Sequence, residues 1–95
     1  MGGSGPYVWD DDKHALNLMA HKVDFSSALS FEWERSIIWQ DRRRDYGEKR
    51  FLALGKIEGR VHLMVFTPRG GYLRIISLRK ANPKEVKRYE SEKES

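Results

Sequence analysis

Two turn signals, Glu58-Gly59 and Pro68-Arg69-Gly70-Gly71, constrain this chain more than anything else in it. They cut residues 48–79 into three runs of strand length. Glu48 to Ile57, Arg60 to Thr67 and Tyr72 to Arg79 are each rich in β-branched, aromatic and other apolar residues. Connections this short return a strand beside its predecessor, so the three runs form an antiparallel meander. Ser36 to Gln40 reads as one more strand ahead of them. It is joined by a polar loop, Asp41 to Gly47, that carries Arg42, Arg43 and Arg44.

An antiparallel sheet with one wet face needs cover on the other. Pro6 to Trp9 reads as a short edge strand, and the acids Asp10, Asp11 and Asp12 then mark a helix start. The spacing predicts a helix from about Asp11 to His21. Leu16, Met19, Ala20 and Val23 form its core stripe, and Lys13, Asn17 and His21 a polar stripe beside it. Asp24 caps a second, shorter helix, Phe25 to Phe31, with Phe25, Ala28 and Leu29 turned to the core. Asn82, Pro83 and Glu85 start a charged last helix, about Pro83 to Ser91. The expected fold class is α+β: an antiparallel sheet of four to five strands, two N-terminal helices packed on one face, and a C-terminal helix. Met1 to Gly5 reads as an expression scar, which leaves residues 6–95 as a single domain.

Composition narrows the function. No cysteine is present, which excludes disulfides and thiolate metal sites. The three histidines lack the spacing of a zinc motif, so no metal and no cofactor is expected. No run of 18 apolar residues exists to cross a membrane, and a cytoplasmic protein is expected. The net charge of +4 is unevenly spread. Residues 1–41 hold seven acids against three Lys/Arg, residues 42–80 hold eleven Lys/Arg against three acids, and the remainder cancels. A basic middle of this kind suits a polyanion such as RNA, although a solvated basic surface would give the same pattern.

Three segments carry a resemblance. Trp9-Asp10, Lys13, Asn17, His21, Phe25 and Ala28 fall at the spacing of the opening of the BrnT family. Glu48, Arg50, Phe51, Ala53 and Gly55 resemble its middle strand. Arg74-Ile75-Ile76-Ser77, then Arg79-Lys80-Ala81, resemble its last strand, preceded by Thr67 and Arg69. Lys22 stands where that family usually has glycine, Leu78 where it commonly has alanine, and the loop after the first hairpin strand is arginine-rich rather than acidic. The resemblance implies a bacterial RelE-like toxin of a type II toxin–antitoxin system that cleaves RNA. It also implies a BrnA-like antitoxin with a ribbon-helix-helix part, through which the pair reaches operator DNA.

Metal-free RNA cleavage needs a base for the 2′-OH, cations for the phosphorane and a proton for the leaving oxygen. Arginine suits the second task, since its planar fork binds two phosphate oxygens and keeps its charge. Arg79, Arg50 and Arg74 are the candidate phosphate-binding residues, and Glu48 the candidate base. Arg79 and Arg74 lie five apart, which on a regular strand sends them to opposite faces unless a bulge intervenes. Glu48 with Arg50 could equally be a surface ion pair. Arg69, Lys13, His21, Arg43 and Tyr89 are candidate RNA contacts; helix capping for His21 and packing beside Val86 for Tyr89 are the alternatives. His62 reads as a sheet-face residue and His14 as solvated, while Trp33 is the candidate exposed anchor. Two other functions remain open: a non-catalytic RNA- or ribosome-binding module, and a co-repressor subunit of a DNA-binding complex.

Overall fold

A computed structural model describes residues 1–94. Six strands make one sheet: β1 (Gly2–Ser4), β2 (Tyr7–Trp9), β3 (Ile37–Asp41), β4 (Arg50–Ile57), β5 (Arg60–Arg69) and β6 (Tyr72–Lys80), in the spatial order β1-β2-β6-β5-β4-β3. Helix α1 (Asp11–His21) follows β2, and α2 (Pro83–Glu94) ends the chain. The meander of β3 to β6 is antiparallel throughout, whereas β2 runs parallel to β6. The expected antiparallel sheet of four to five strands is therefore corrected to a six-stranded mixed sheet. The chain leaves β2 through α1 and returns only after the whole meander, so it meets β6 running the same way. Gly2–Ser4, set aside by sequence, pairs antiparallel with β2.

The second correction concerns the helices. Only one N-terminal α-helix forms; Phe25–Ser30 winds as a 3₁₀ segment. Six residues with three serines are too few and too poor in helix formers for a stable α-helix, and the tighter turn serves instead. Asp24 still caps it, accepting from the Ser26 N–H at 2.8 Å. Cover is also divided between the faces rather than gathered on one. Phe25, Ala28 and Phe31 pack on a first face with Ala53, Met64, Phe66, Ile75 and Leu78. Tyr89 of α2 packs on the second face with Leu52, Leu54, Val61 and Leu63. On the first face Phe31 lies directly over Gly55, where an added Cβ would meet the ring at 2.5 Å.

Helix α1 docks in an unexpected way. Its one buried residue is Asn17, while Leu16 and Met19 are 65% and 74% exposed. The cause lies in β6. Strand β2 covers only Leu73 to Ile75, so the edge of β6 beyond Ile75 is bare. Asn17 Nδ2 donates to the Leu78 carbonyl at 2.6 Å, and Asn17 Oδ1 accepts from the Leu78 N–H at 3.2 Å. One amide side chain thus replaces a neighbouring strand, and Asn17 rather than the apolar stripe faces the protein.

Candidate nucleic-acid interface

The register of β5 and β6 slips once. Val65 faces Ser77 and Phe66 faces Ile75, which leaves Ile76 as an extra residue. The bulge resets the alternation, so Arg74 and Arg79 both stand on the second face despite their odd spacing. Arg50 joins them there, opposite Asp41 of β3, and Thr67 lies opposite Arg74. Thr67 is buried, and its hydroxyl donates to the Lys49 carbonyl at 2.7 Å, tying β5 to the start of β4. Arg50, Thr67 and Arg74 therefore form a row across three adjacent strands. The backbones of its two arginines are separated by two strand spacings, roughly 10 Å, which two long side chains can close. Arg69, two residues past Thr67, extends the same face and is exposed.

Arg74 is the least satisfied residue of the row. Its Nε is the one buried side-chain nitrogen or oxygen among the described residues without a hydrogen-bond partner. A bound water or a ligand oxygen would satisfy such a donor, and the Arg74 charge also acts on the Asp10 carboxylate. Arg50 is held from two sides. Its Nε donates to Glu48 Oε2 at 3.1 Å, and its guanidinium lies 4.2 Å from the centre of the Tyr46 ring. Glu48 sits in the loop before β4, next to the row it was expected to serve.

The arginine loop is ordered by one carboxylate. Asp41 is buried and accepts from Arg43 Nε at 2.9 Å, Arg43 Nη2 at 2.8 Å and the Tyr46 hydroxyl at 2.9 Å. The Arg43 guanidinium holds the Asp41 carboxyl well below the usual carboxylate range. Arg43 is thereby a loop anchor, with its fork already engaged. Tyr46 carries Arg44 on its ring at 5.1 Å as well as Arg50. Sequence reasoning missed Tyr46. The signal was an aromatic residue just past a run of three arginines, where ring and guanidinium stack readily.

Arg79 shares the face but not the row. It stands five residues along β6 from Arg74, roughly 15 Å at strand spacing. Both arms of its fork go to Glu85, at 2.8 and 2.9 Å. Tyr89 is 5% exposed and packs in the core beneath α2. Lys13 and His21 line a small groove with Asn17, Ile76 and Ser77 at the β6 edge. His14 is part-buried rather than solvated: it stacks on Phe25, and its Nε2 lies 3.0 Å from Asp24. Trp33 is packed between Phe31 and Phe66 and donates to the Tyr7 hydroxyl at 2.6 Å, so it is no exposed anchor. Among the described residues no group of three or more His, Asp or Glu could hold a metal ion, and no helix is long and apolar enough to cross a membrane.

A basic sheet face with aromatic neighbours can bind a phosphate chain. Residues 9–85 match the family described as ribonuclease toxin, BrnT, of type II toxin-antitoxin system. The chain belongs to the BrnT family. The match runs from Trp9 through Glu85, and so includes the Arg50–Thr67–Arg74 row, the Tyr46 loop and Arg79. A search of curated proteins finds no match. As a BrnT toxin the chain has an antitoxin as its partner.

Proposed function

We propose that this BrnT-family chain is a metal-independent endoribonuclease whose phosphate-binding row is Arg50 and Arg74. Glu48 is the base: it takes the 2′-OH proton, the 2′ oxygen attacks phosphorus, the P–O5′ bond breaks and the 5′ oxygen takes a proton from water, producing a 2′,3′-cyclic phosphate end and a 5′-OH. The two guanidiniums hold the charge that builds on the phosphorane. Arg69 and Arg44, the latter stacked on Tyr46, guide the flanking phosphates. Arg79 acts at one remove, holding α2 in place through Glu85. The observation that carries this reading is the orphaned Arg74 Nε beside Thr67 and across from Arg50.

The antitoxin is a BrnA-like ribbon-helix-helix protein. It docks on the exposed Leu16 and Met19 of α1, between the basic flanks Lys13 and His21, which suit an acidic amphipathic segment. The test of the nuclease is RNA digestion with EDTA present, on free RNA and on ribosome-bound message. Cleavage should fall on the order of 100-fold in Arg74→Ala and in Arg50→Ala, with thermal unfolding checked in parallel. Intact RNA in both settings with the unaltered chain, or equal cleavage by both folded variants, would reject the proposal.

A further inference from the structure

One surface hollow lies away from this row. It measures about 540 Å³ and opens between the Lys22–Ser30 connection and the Ile57–Arg60 hairpin, with His62 and Lys80 on its sheet side. His62 is on the first face, and the hollow sits at the opposite end of the strands from Arg50 and Arg74.

Three features make it more than a surface dent. First, Lys22, Arg60 and Lys80 line it, and among the described residues none of the three has an ion-pair partner. Asp24 and Glu58 also line it, but Asp24 is already engaged by His14 and by the Ser26 N–H. Second, His62 is 6% exposed and lies 2.7 Å from the Arg60 carbonyl through Nδ1. A carbonyl only accepts, so Nδ1 carries the hydrogen and Nε2 is left to take a proton. Burial, helped by the charges of Arg60 and Lys80, pushes this imidazole below its ordinary value. Third, the two non-glycine residues with positive φ among the described residues, Lys22 at 60° and Glu58 at 49°, both line this hollow. Lys22 is the left-handed C-cap of α1 and Glu58 the first corner of the β4–β5 turn, so two tight bends set the rims of the hollow.

We infer that this hollow is a phosphate-binding site, formed by Lys22, Arg60, His62 and Lys80 with the Ser27 and Ser30 hydroxyls, and distinct from the Arg50–Arg74 row. No Phe, Tyr or Trp lines it, and its one ring, His62, is buried, so the site is read as one for a phosphate rather than a base. An arriving anion offsets the charges of Arg60 and Lys80, which add to burial in disfavouring the imidazolium, and binding is accompanied by proton uptake on Nε2. Lys22, Asp24, Glu58, Arg60 and Lys80 are the charged groups facing that imidazole across the hollow. The site depends on no step of the proposed cleavage.

The test is an NMR titration of the three histidine rings of the full chain, with sulfate as a probe that does not titrate near neutral pH. Sulfate should raise the His62 pKa by about one unit and bind roughly three- to ten-fold more tightly at pH 5.5 than at pH 8. Lys22→Gly, which also relieves the strained backbone, and Lys80→Gln should each weaken it several-fold. Arg74→Ala should leave the His62 response intact, which separates this site from the cleavage row. Inorganic phosphate and a short oligouridylate, run side by side, distinguish a free phosphate from a strand. A His62 ring that ignores both anions overturns the inference. So does a response unchanged in Lys22→Gly and Lys80→Gln, or an oligoglutamate peptide that perturbs His62 more strongly than either phosphate.

Discussion

The two helices are attached by opposite logic. Helix α1 buries one amide and leaves its apolar residues in water. Helix α2 has a far more polar sequence, yet it buries Tyr89 and lays Val86 against an apolar sheet face. The pattern within each helix does not explain this, because the surface offered to it decides. Strand β6 offers bare N–H and C=O groups, which only a polar side chain can satisfy. The second sheet face offers Leu52, Leu54 and Leu63, which an aromatic ring covers well.

The comparison is most exposed at Asn17. Replacing it by leucine keeps the bulk and makes the helix more apolar, so a helix held by its apolar face would gain. Instead, Asn17→Leu should cost about 2–4 kcal/mol, because the Leu78 N–H and C=O and the Val23 carbonyl lose their partner together. The urea midpoint measures it. An unchanged midpoint would mean that α1 is held by something other than this amide.

Glu85 tests the other attachment. It accepts both arms of Arg79 and the Asn82 N–H, while Asn82 Oδ1 accepts from the Glu85 N–H, so one carboxylate starts the helix and ties it to β6. Glu85→Gln should cost about 1–2 kcal/mol. The Arg79 guanidinium holds the Glu85 carboxyl below its ordinary value. The stabilisation is therefore complete above the unfolded value, about 4.3, and is lost as pH falls through the lower folded one. Stability measured against pH should drop less steeply at the acid end in Glu85→Gln. An identical profile would show that the pair does not hold α2.

The same contrast explains what the sequence could reveal. The meander was legible because Gly59, Gly70 and Gly71 mark its corners, and both helix starts were legible because Asp10 and Asn82 cap them through local hydrogen bonds. Local chemistry leaves local signals. The pairing of β2 with β6, the docking of α1 by Asn17 and the bulge at Ile76 are all long-range. None has a glycine or proline to announce it, and Ile76 sits in an ordinary β-branched run. That bulge decides the site, since without it Arg74 would face the first side, away from Arg50. The arginines themselves are visible in the sequence as charges. That Glu48 and Tyr46 hold Arg50, that Glu85 holds Arg79 and that Arg74 Nε has no partner emerges only once folding brings these groups together.

The smallest stability effect carries the sharpest contrast. Leu16 and Met19 occupy the positions that a helix packed by its apolar stripe would bury, so Leu16→Glu with Met19→Glu would unfold such a protein. Here both side chains are mostly in water, and the double variant should shift stability by no more than about 0.5 kcal/mol. Its effect belongs to the partner. Growth arrest on induction of the variant alone should persist, while co-expressed antitoxin should no longer relieve it, because two carboxylates replace the apolar anchors of the docking face. Relief that survives both substitutions would place the antitoxin elsewhere and leave the exposed stripe without a role. Loss of stability would mean that the stripe packs after all, and the contrast between α1 and α2 would then fail at its first term.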